Sequence, residues 1–312
     1  MHNIIISNRV QHQIKQLYKL PILATLILTL IPSSLNTNAE VVQPPFKATK
    51  VTAHRGDCSK APENTIASIK AAIKTNSDYA EIDVQESKDE QVILTHDTNL
   101  KRTAGLNKNV WELTRKELQA LAVGSYHSKK FKNERIPTLD DVIKAAKNKV
   151  KLNIEVKVNG HEKALVRNVV KIIEINGFEN QCVITSFDYN ILQQIRKLNK
   201  KIRLGYLIYK EQRDFSKLDV DFYSIDSSRA TPEFINNAHS LKREVHVWTV
   251  NSKESIKYAA SIGADNIITD RPQLAMKIIN SKYKTDKFKY KFSSFFKAGT
   301  DHKHKCNKNN SM

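Results

Sequence analysis

A set of charged and imidazole side chains between positions 54 and 157 of this 312-residue sequence is of the kind that acts on phosphate esters. The set consists of His54, Arg55, Glu63, Glu81, Asp83, His96, Glu155 and Lys157. Carboxylates bind hard divalent cations, a guanidinium binds two phosphate oxygens at once, and imidazoles transfer protons near neutral pH. These residue types therefore indicate phosphoryl chemistry that a bound cation would assist.

Three of the carboxylates are spaced so that they can meet. Glu81 and Asp83 are two residues apart in one strand-like run, and Glu155 and Lys157 repeat this spacing in another. Alternate residues of a strand point to the same side, so the carboxylates are expected to converge. Close carboxylates repel one another, and a divalent cation with oxygen ligands would relieve the repulsion. The residues alone leave a second arrangement open, a metal-free charge network with Arg55 and Lys157.

Eight apolar, strand-like segments alternate with helix-like segments along the chain. The predicted strands are Val51–Ala53, Ala80–Val84, Val150–Val156, Cys182–Ser186, Arg203–Ile208, Phe222–Asp226, Val245–Val250 and Asn266–Thr269. A helix is expected after each strand, and the one around Phe215–Leu218 has the shortest pattern. Eight such units predict an α/β fold, a closed (β/α)₈ TIM barrel. A doubly wound open sheet is the alternative, although it normally has fewer strands.

The predicted barrel also gives the candidate residues a common location. His54 and His96 follow apolar runs, and the active sites of such barrels lie at the carboxyl ends of the strands. The long stretch 86–137 interrupts the rhythm between barrel strands two and three, so it is predicted to be an insertion. The chain has eight glycines and no glycine-rich phosphate loop, which argues against a nucleotide-binding site of that kind.

A series of short motifs in a fixed order resembles a known family. The motifs are Ala53-His54-Arg55-Gly56, Pro62-Glu63-Asn64-Thr65, Glu81-Ile82-Asp83, His96-Asp97, Asn153-Ile154-Glu155-Val156-Lys157, Thr185-Ser186-Phe187-Asp188, Val247-Trp248-Thr249-Val250-Asn251 and Ile267-Ile268-Thr269-Asp270-Arg271-Pro272. In this order they resemble the glycerophosphodiester phosphodiesterases, phosphoric diester hydrolases whose barrel is like that of phosphatidylinositol phospholipase C. The resemblance extends from Lys50 to Ile279.

The resemblance implies specific roles for five of these residues. Glu81, Asp83 and Glu155 occupy the places of the family's metal ligands, for Ca²⁺ or Mg²⁺. His54 and His96 occupy the places of the general acid and base, and the sequence does not say which is which. In this family the insertion covers the barrel mouth and shapes the substrate pocket.

Four further residues are predicted to contact or support the substrate. Arg55 and Lys157 are expected to bind the phosphate, Arg55 in a bidentate manner. Glu63 is predicted to support the substrate site by orienting Arg55 or a histidine. The alternative is that it is simply a carboxylate at a helix N-terminus. Trp248 is predicted to form a wall for the alcohol or glycerol part of the substrate, with core packing as the alternative.

The implied activity is metal-dependent hydrolysis of glycerophosphodiesters, which are deacylated phospholipids, to glycerol 3-phosphate and an alcohol. One alternative is a phospholipase D that acts on lysolipids or sphingolipids. A second alternative, from another class of protein, is a non-catalytic surface binding protein that kept the barrel. The small-molecule substrate is the principal partner in the enzyme hypotheses.

The N-terminal segment has the layout of a secretory signal peptide. Residues 20–31 form an uncharged apolar run after three basic residues, and Ala39 ends a stretch of small residues that suits cleavage. The predicted organisation is a signal peptide at 1–39, a barrel domain at 40–280 and a basic tail at 281–312. Export to the periplasm or the medium is therefore predicted, and an uncleaved anchor or a cytoplasmic protein are the alternatives.

The chain carries a net charge of +19, and part of it lies in the tail. The tail contains nine lysines against two aspartates, with aromatic residues interleaved. It is predicted either to be a disordered, solvated extension or to make weak contact with an anionic membrane. In the body of the chain no arginine-rich or aromatic-interleaved nucleic-acid motif stands out, so nucleic acid is not an expected partner.

Overall fold

Eight parallel strands form a closed barrel in the computed structural model, which describes residues 49–211 and 214–281. Together with one further strand, β3, they are β1 (Lys50–Ala53), β2 (Tyr79–Glu86), β3 (Val92–Leu94), β4 (Lys151–Val156), β5 (Cys182–Ser186), β6 (Arg203–Ile208), β7 (Phe222–Asp226), β8 (Glu244–Trp248) and β9 (Asn266–Thr269). Neighbours follow the order β1-β9-β8-β7-β6-β5-β4-β2, and pairing of β1 with β2 closes the barrel. Strand β3 lies outside it and runs antiparallel to β2. The predicted (β/α)₈ barrel is confirmed.

Helices pack around the barrel between most of the strands. They are α1 (Ile66–Lys74), α2 (Lys101–Ala104), α3 (Arg115–Ala120), α4 (Leu139–Ala146), α5 (Leu165–Ile175), α6 (Tyr189–Leu198), α7 (Pro232–Ser240), α8 (Lys253–Ser261) and α9 (Pro272–Asn280). The hydroxyls of Thr65, Thr138 and Thr231 cap α1, α4 and α7 by accepting a backbone N–H of the first turn. Proline begins α7 and α9, where its missing N–H costs no hydrogen bond.

The connection between β6 and β7 contains no helix among its described residues, so the helix expected around Phe215–Leu218 is wrong. Its few apolar residues are too short a run for an amphipathic helix. Instead, the Phe215 ring packs with its centroid 6.2 Å from the rings of both Tyr206 and Tyr223. One aromatic side chain therefore covers this part of the barrel wall.

Alternation along the strands separates the apolar core from the candidate site. Ile82 and Val84 on β2 are fully buried in the apolar layer that the barrel shares with the helices. Glu81 and Asp83 have the opposite parity and face the barrel interior. The register of β2 against β4 places Asp83 beside Glu155. The predicted convergence of carboxylates thus follows from strand pairing.

The predicted insertion lies between the barrel strands β2 and β4 and contains β3, α2 and α3. It has a small apolar core of its own, formed by Ile93, Leu100, Val110, Leu113, Leu118, Val123 and Ile136. The insertion is therefore packed on its own core, and β3 joins it to the barrel by pairing with β2.

Two predicted segments lie outside the described residues, the leader at 1–39 and the tail beyond residue 281. The domain boundaries and the roles proposed for both ends therefore stay predictions. Within the described ranges, no helix combines the length and apolar character needed to cross a membrane.

Candidate active site

A cavity of about 310 Å³ opens at the carboxyl ends of the barrel strands. The predicted residues that line it are His54, Arg55, Glu81, His96, Glu155, Lys157 and Trp248. Asp83 and Glu63 are buried in its wall, with exposed fractions of 1% and 5%. Folding therefore brings all nine predicted site residues to one mouth of the barrel.

The three carboxylates form a cluster that suits a cation. Ligand oxygens of Glu81, Asp83 and Glu155 all lie within 4.8 Å of one another. Burial and the neighbouring Asp83 raise the pKa of Glu81 to about 8. Burial alone would raise the pKa of Asp83, but His96, Lys157 and Arg55 lower it well below its usual range. The buried Oε1 of Glu81 accepts no hydrogen bond from the described residues, so the donor set fits a hard cation with oxygen ligands.

Two cationic side chains lie against this cluster. The Arg55 backbone N–H donates to Glu81 Oε2 at 2.7 Å, and its Nε lies 3.8 Å from Asp83 Oδ2. Lys157 Nζ lies 3.0 Å from Glu155 Oε1 and 3.5 Å from Asp83 Oδ1. Both side chains also line the cavity, so they can offset charge on phosphate oxygens bound there.

A tight turn after β1 gives Arg55 its position. Arg55 and Gly56 have φ angles of +52° and +74°, in the left-handed region. A Cβ atom at Gly56 would come within 2.3 Å of Ser68 Oγ on α1, so only glycine fits this close approach. The steric requirement explains why glycine follows the histidine and arginine in the first motif.

Each of the two cavity histidines is backed by a carboxylate. His54 Nδ1 lies 2.6 Å from Asp270 Oδ1, and His96 Nδ1 lies 2.8 Å from Asp97 Oδ1. Burial alone would lower the pKa of His54, but Asp270 raises it above its usual value. When Nδ1 donates to a carboxylate, Nε2 is left to exchange a proton on the other side of the ring. Both imidazoles are therefore fixed in an orientation that suits acid–base chemistry.

Comparison with known proteins identifies the family. A model of the glycerophosphoryl diester phosphodiesterase family matches residues 54–274. The chain belongs to this family. Among its relatives is a glycerophosphodiester phosphodiesterase of Caldanaerobacter subterraneus, which is 32% identical over 242 residues, covering 74% of this chain and 98% of the relative. The lysophospholipase D GDPD1 of Homo sapiens is 26% identical, over 72% of this chain and 83% of its own length.

Solved structures of the glycerophosphodiester phosphodiesterase family show the same barrel. A phosphodiesterase of Oleispira antarctica, solved in complex with the product sn-glycerol-3-phosphate, matches with a TM-score of 0.72 and 26% identity. The match covers 75% of this chain and 98% of that one. A glycerophosphodiester phosphodiesterase of Agrobacterium tumefaciens matches with a TM-score of 0.66 and 24% identity, over 73% and 99% of the two chains.

The sequence left the roles of Glu63 and Trp248 open, and the structure places Glu63 behind Arg55 and Trp248 on the cavity wall. Glu63 Oε1 accepts a hydrogen bond from Arg55 Nη1 at 2.9 Å, so Glu63 orients the arginine from behind. Trp248 is half-buried and lines the cavity, with the rings of Phe187 and Tyr209 at 6.0 and 6.1 Å from its own. Trp248 therefore presents an apolar surface to the cavity.

Sequence reasoning assigned no role to four residues that support the site. Asp270 directly follows β9, and Asn251 Nδ2 donates to its Oδ2 at 2.8 Å. Asn64 donates to Asp83 Oδ2 at 2.8 Å and accepts the Asp83 N–H at 3.0 Å. Asp97 backs His96. The signal for Asp270 was its position at the carboxyl end of a barrel strand, where site residues of this fold collect.

Proposed function

We propose that this protein hydrolyses glycerophosphodiesters to glycerol 3-phosphate and an alcohol. The observation that carries the proposal is one cavity in which three carboxylates, two cationic side chains and two carboxylate-backed histidines meet. Such a set binds a phosphodiester and moves protons on both sides of it. The relative of known structure that holds sn-glycerol-3-phosphate supports the same product.

Glu81, Asp83 and Glu155 would hold a divalent cation, which we propose to be Ca²⁺ or Mg²⁺. The support is the all-oxygen donor set and the buried oxygen of Glu81, which has no hydrogen-bond partner in the described part of the chain. When bound, the cation supplies Lewis-acid polarisation of a phosphate oxygen.

The residues of the chain supply the remaining steps. Arg55 and Lys157 bind the phosphoryl oxygens and offset the charge that develops on them. One of His54 and His96 takes a proton from the attacking oxygen, which belongs either to water or to a substrate hydroxyl. In the second case the attack forms a cyclic phosphate, which water then opens to glycerol 3-phosphate. The other gives a proton to the alcohol oxygen as its bond to phosphorus breaks. Their carboxylate partners hold both rings in place through each exchange.

Product analysis tests this function directly. The purified protein is incubated with glycerophosphocholine, glycerophosphoethanolamine and other glycerophosphodiesters, and the products are identified. We expect glycerol 3-phosphate and the free alcohol in equal amounts. Binding of the diesters without any turnover would instead favour a non-catalytic surface protein.

Trp248 forms the wall for the alcohol or glycerol part in this proposal. Trp248→Ala should raise KM roughly tenfold with little change in kcat, because an aromatic contact worth about 1.4 kcal/mol is lost from ground and transition states alike. The measurement is steady-state kinetics on one diester. Trp111→Ala is the matched control, since Trp111 stacks on His161 outside this cavity. An unchanged KM with a lower melting temperature would show that Trp248 only packs.

A lysolipid is the second candidate substrate, and exposed apolar residues favour it. Val158 and Phe187 are 42% and 46% exposed, and both line a second cavity that adjoins Glu155 and Lys157. An acyl chain could leave the site along this path. If the protein hydrolyses lysolipid in vesicles faster than it hydrolyses water-soluble diesters, the result would support a lysolipid substrate.

The basic tail is proposed to make weak contact with an anionic membrane. A comparison of binding to anionic and to neutral vesicles tests this contact.

Export is proposed from the leader alone. The mature protein should begin at Glu40 or within a few residues of it, because Ala39 suits cleavage after an apolar run. Mass spectrometry of the protein from the producing cell measures this. Leu26→Lys, which interrupts the run, should block the processing. Intact Met1 on soluble cytoplasmic protein would contradict export.

A further inference from the structure

Arg102 in the insertion lies between two carboxylates that support the site. Its Nη1 and Nη2 donate to Glu63 Oε2 and Oε1 at 2.7 and 2.6 Å. Its Nε donates to Asp97 Oδ2 at 2.6 Å. One guanidinium thus uses its terminal nitrogens on one carboxylate and its inner nitrogen on the other.

Both carboxylates hold a side chain that lines the catalytic cavity. Glu63 accepts from Arg55 Nη1 at 2.9 Å, and Asp97 pairs with His96 Nδ1 at 2.8 Å. The contacts therefore run without a break from the proposed phosphate-binding arginine to one of the proposed acid–base histidines. Arg102 itself does not line that cavity but borders a neighbouring open pocket together with His96 and Asp97, so its direct contacts with the site are those to Glu63 and Asp97.

The chemistry of this junction requires an arginine. The Glu63 side chain is 2% exposed, and a buried carboxylate needs paired charges and hydrogen bonds on both oxygens. The planar fork of a guanidinium meets both oxygens of Glu63 and still reaches Asp97. A lysine ammonium carries the same charge but has no rigid fork that could match this geometry.

We propose that Arg102 is a positioning residue that fixes His96 and Arg55 relative to each other by holding Asp97 and Glu63. The inference rests on the proposed roles of His96 and Arg55 in diester hydrolysis. It gives the insertion a part in catalysis beyond covering the barrel mouth.

The first test compares Arg102→Ala and Arg102→Lys with wild type. Loss of a residue that orients active-site groups typically costs about 10- to 100-fold in activity, so kcat should fall by that order in both variants. Because lysine restores only the charge, Arg102→Lys should recover little of the loss. Lys101→Ala, an exposed neighbour on α2, removes the same charge and should keep wild-type kcat. Near-normal kcat in Arg102→Lys would overturn the proposal.

A double-mutant cycle with His96→Ala separates positioning from general loss of structure. If Arg102 acts partly through His96, the combined loss in kcat should be smaller than the product of the two single losses by about tenfold or more. Losses that multiply, together with a lower melting temperature of Arg102→Ala, would show a purely structural role and overturn the proposal. If His96→Ala itself keeps wild-type kcat, the proposed mechanism is wrong. If His96→Ala loses activity but the Arg102 variants keep wild-type kcat, the proposed mechanism stands and only the role of Arg102 is wrong.

Discussion

His54→Ala and His96→Ala should each lower kcat on a glycerophosphodiester by about 10²- to 10⁴-fold, which is the usual cost of removing a positioned proton-transfer group. Both rings line the cavity, and each is held in place by its own carboxylate. We therefore expect each histidine to have a separate role in proton transfer. The measurement is steady-state kinetics beside a thermal melt, which should change little. His239→Ala is a matched control, because His239 also pairs with a carboxylate, Asp265 at 2.8 Å, but is outside the cavity.

A substrate with an activated leaving group assigns the two roles. A low-pKa alcohol departs without a proton, so such a substrate should restore the rate of one histidine variant far more than that of the other. The variant that recovers has lost the general acid. Near-normal kcat of both variants on an ordinary diester would show that the proposed proton transfers are wrong.

Removing the cation or its ligands should abolish turnover. Excess chelator should reduce product formation to background, and adding back Ca²⁺ or Mg²⁺ should restore it and show which is preferred. Glu81→Ala and Asp83→Ala should each lose turnover and measurable cation binding by calorimetry. A thermal melt checks the fold of both variants. Glu81→Ala should keep its fold, because it removes a carboxyl whose charged form is disfavoured by burial and by Asp83. Asp83→Ala should melt at a lower temperature, because it leaves Arg55, Lys157 and Asn64 with one partner fewer.

An exposed carboxylate provides the control for these variants. Glu233→Ala, in the first turn of α7, should keep wild-type turnover and cation binding. Full activity of the wild-type protein in excess chelator would contradict metal dependence, even if the carboxylate variants were inactive. In that outcome the metal-free charge network with Arg55 and Lys157 would explain the cluster.

Much of the fold and the outline of the site follow from local sequence patterns. Eight apolar runs separated by helix signals favour a barrel, because the alternative, a doubly wound open sheet, normally has fewer strands. The two-residue spacing of Glu81 and Asp83 sets their common face through strand geometry alone. The resemblance to the family then implied roles for the three carboxylates and the two histidines. In contrast, the short pattern at Phe215–Leu218 suggested a helix that tertiary packing replaced with an aromatic contact.

Only the tertiary structure decided which groups support the reacting side chains. His54 and Asp270 are 216 residues apart, and they meet because β9 pairs with β1 in the barrel. Arg102 reaches Glu63 across 39 residues because the insertion folds on its own apolar core and brings α2 to the segment just before α1. Strand periodicity acts over a few residues, so it fixes the face on which a side chain lies. The partner that orients that side chain depends on the closure of the barrel and the docking of the insertion, for which these sequence patterns carry no local signal.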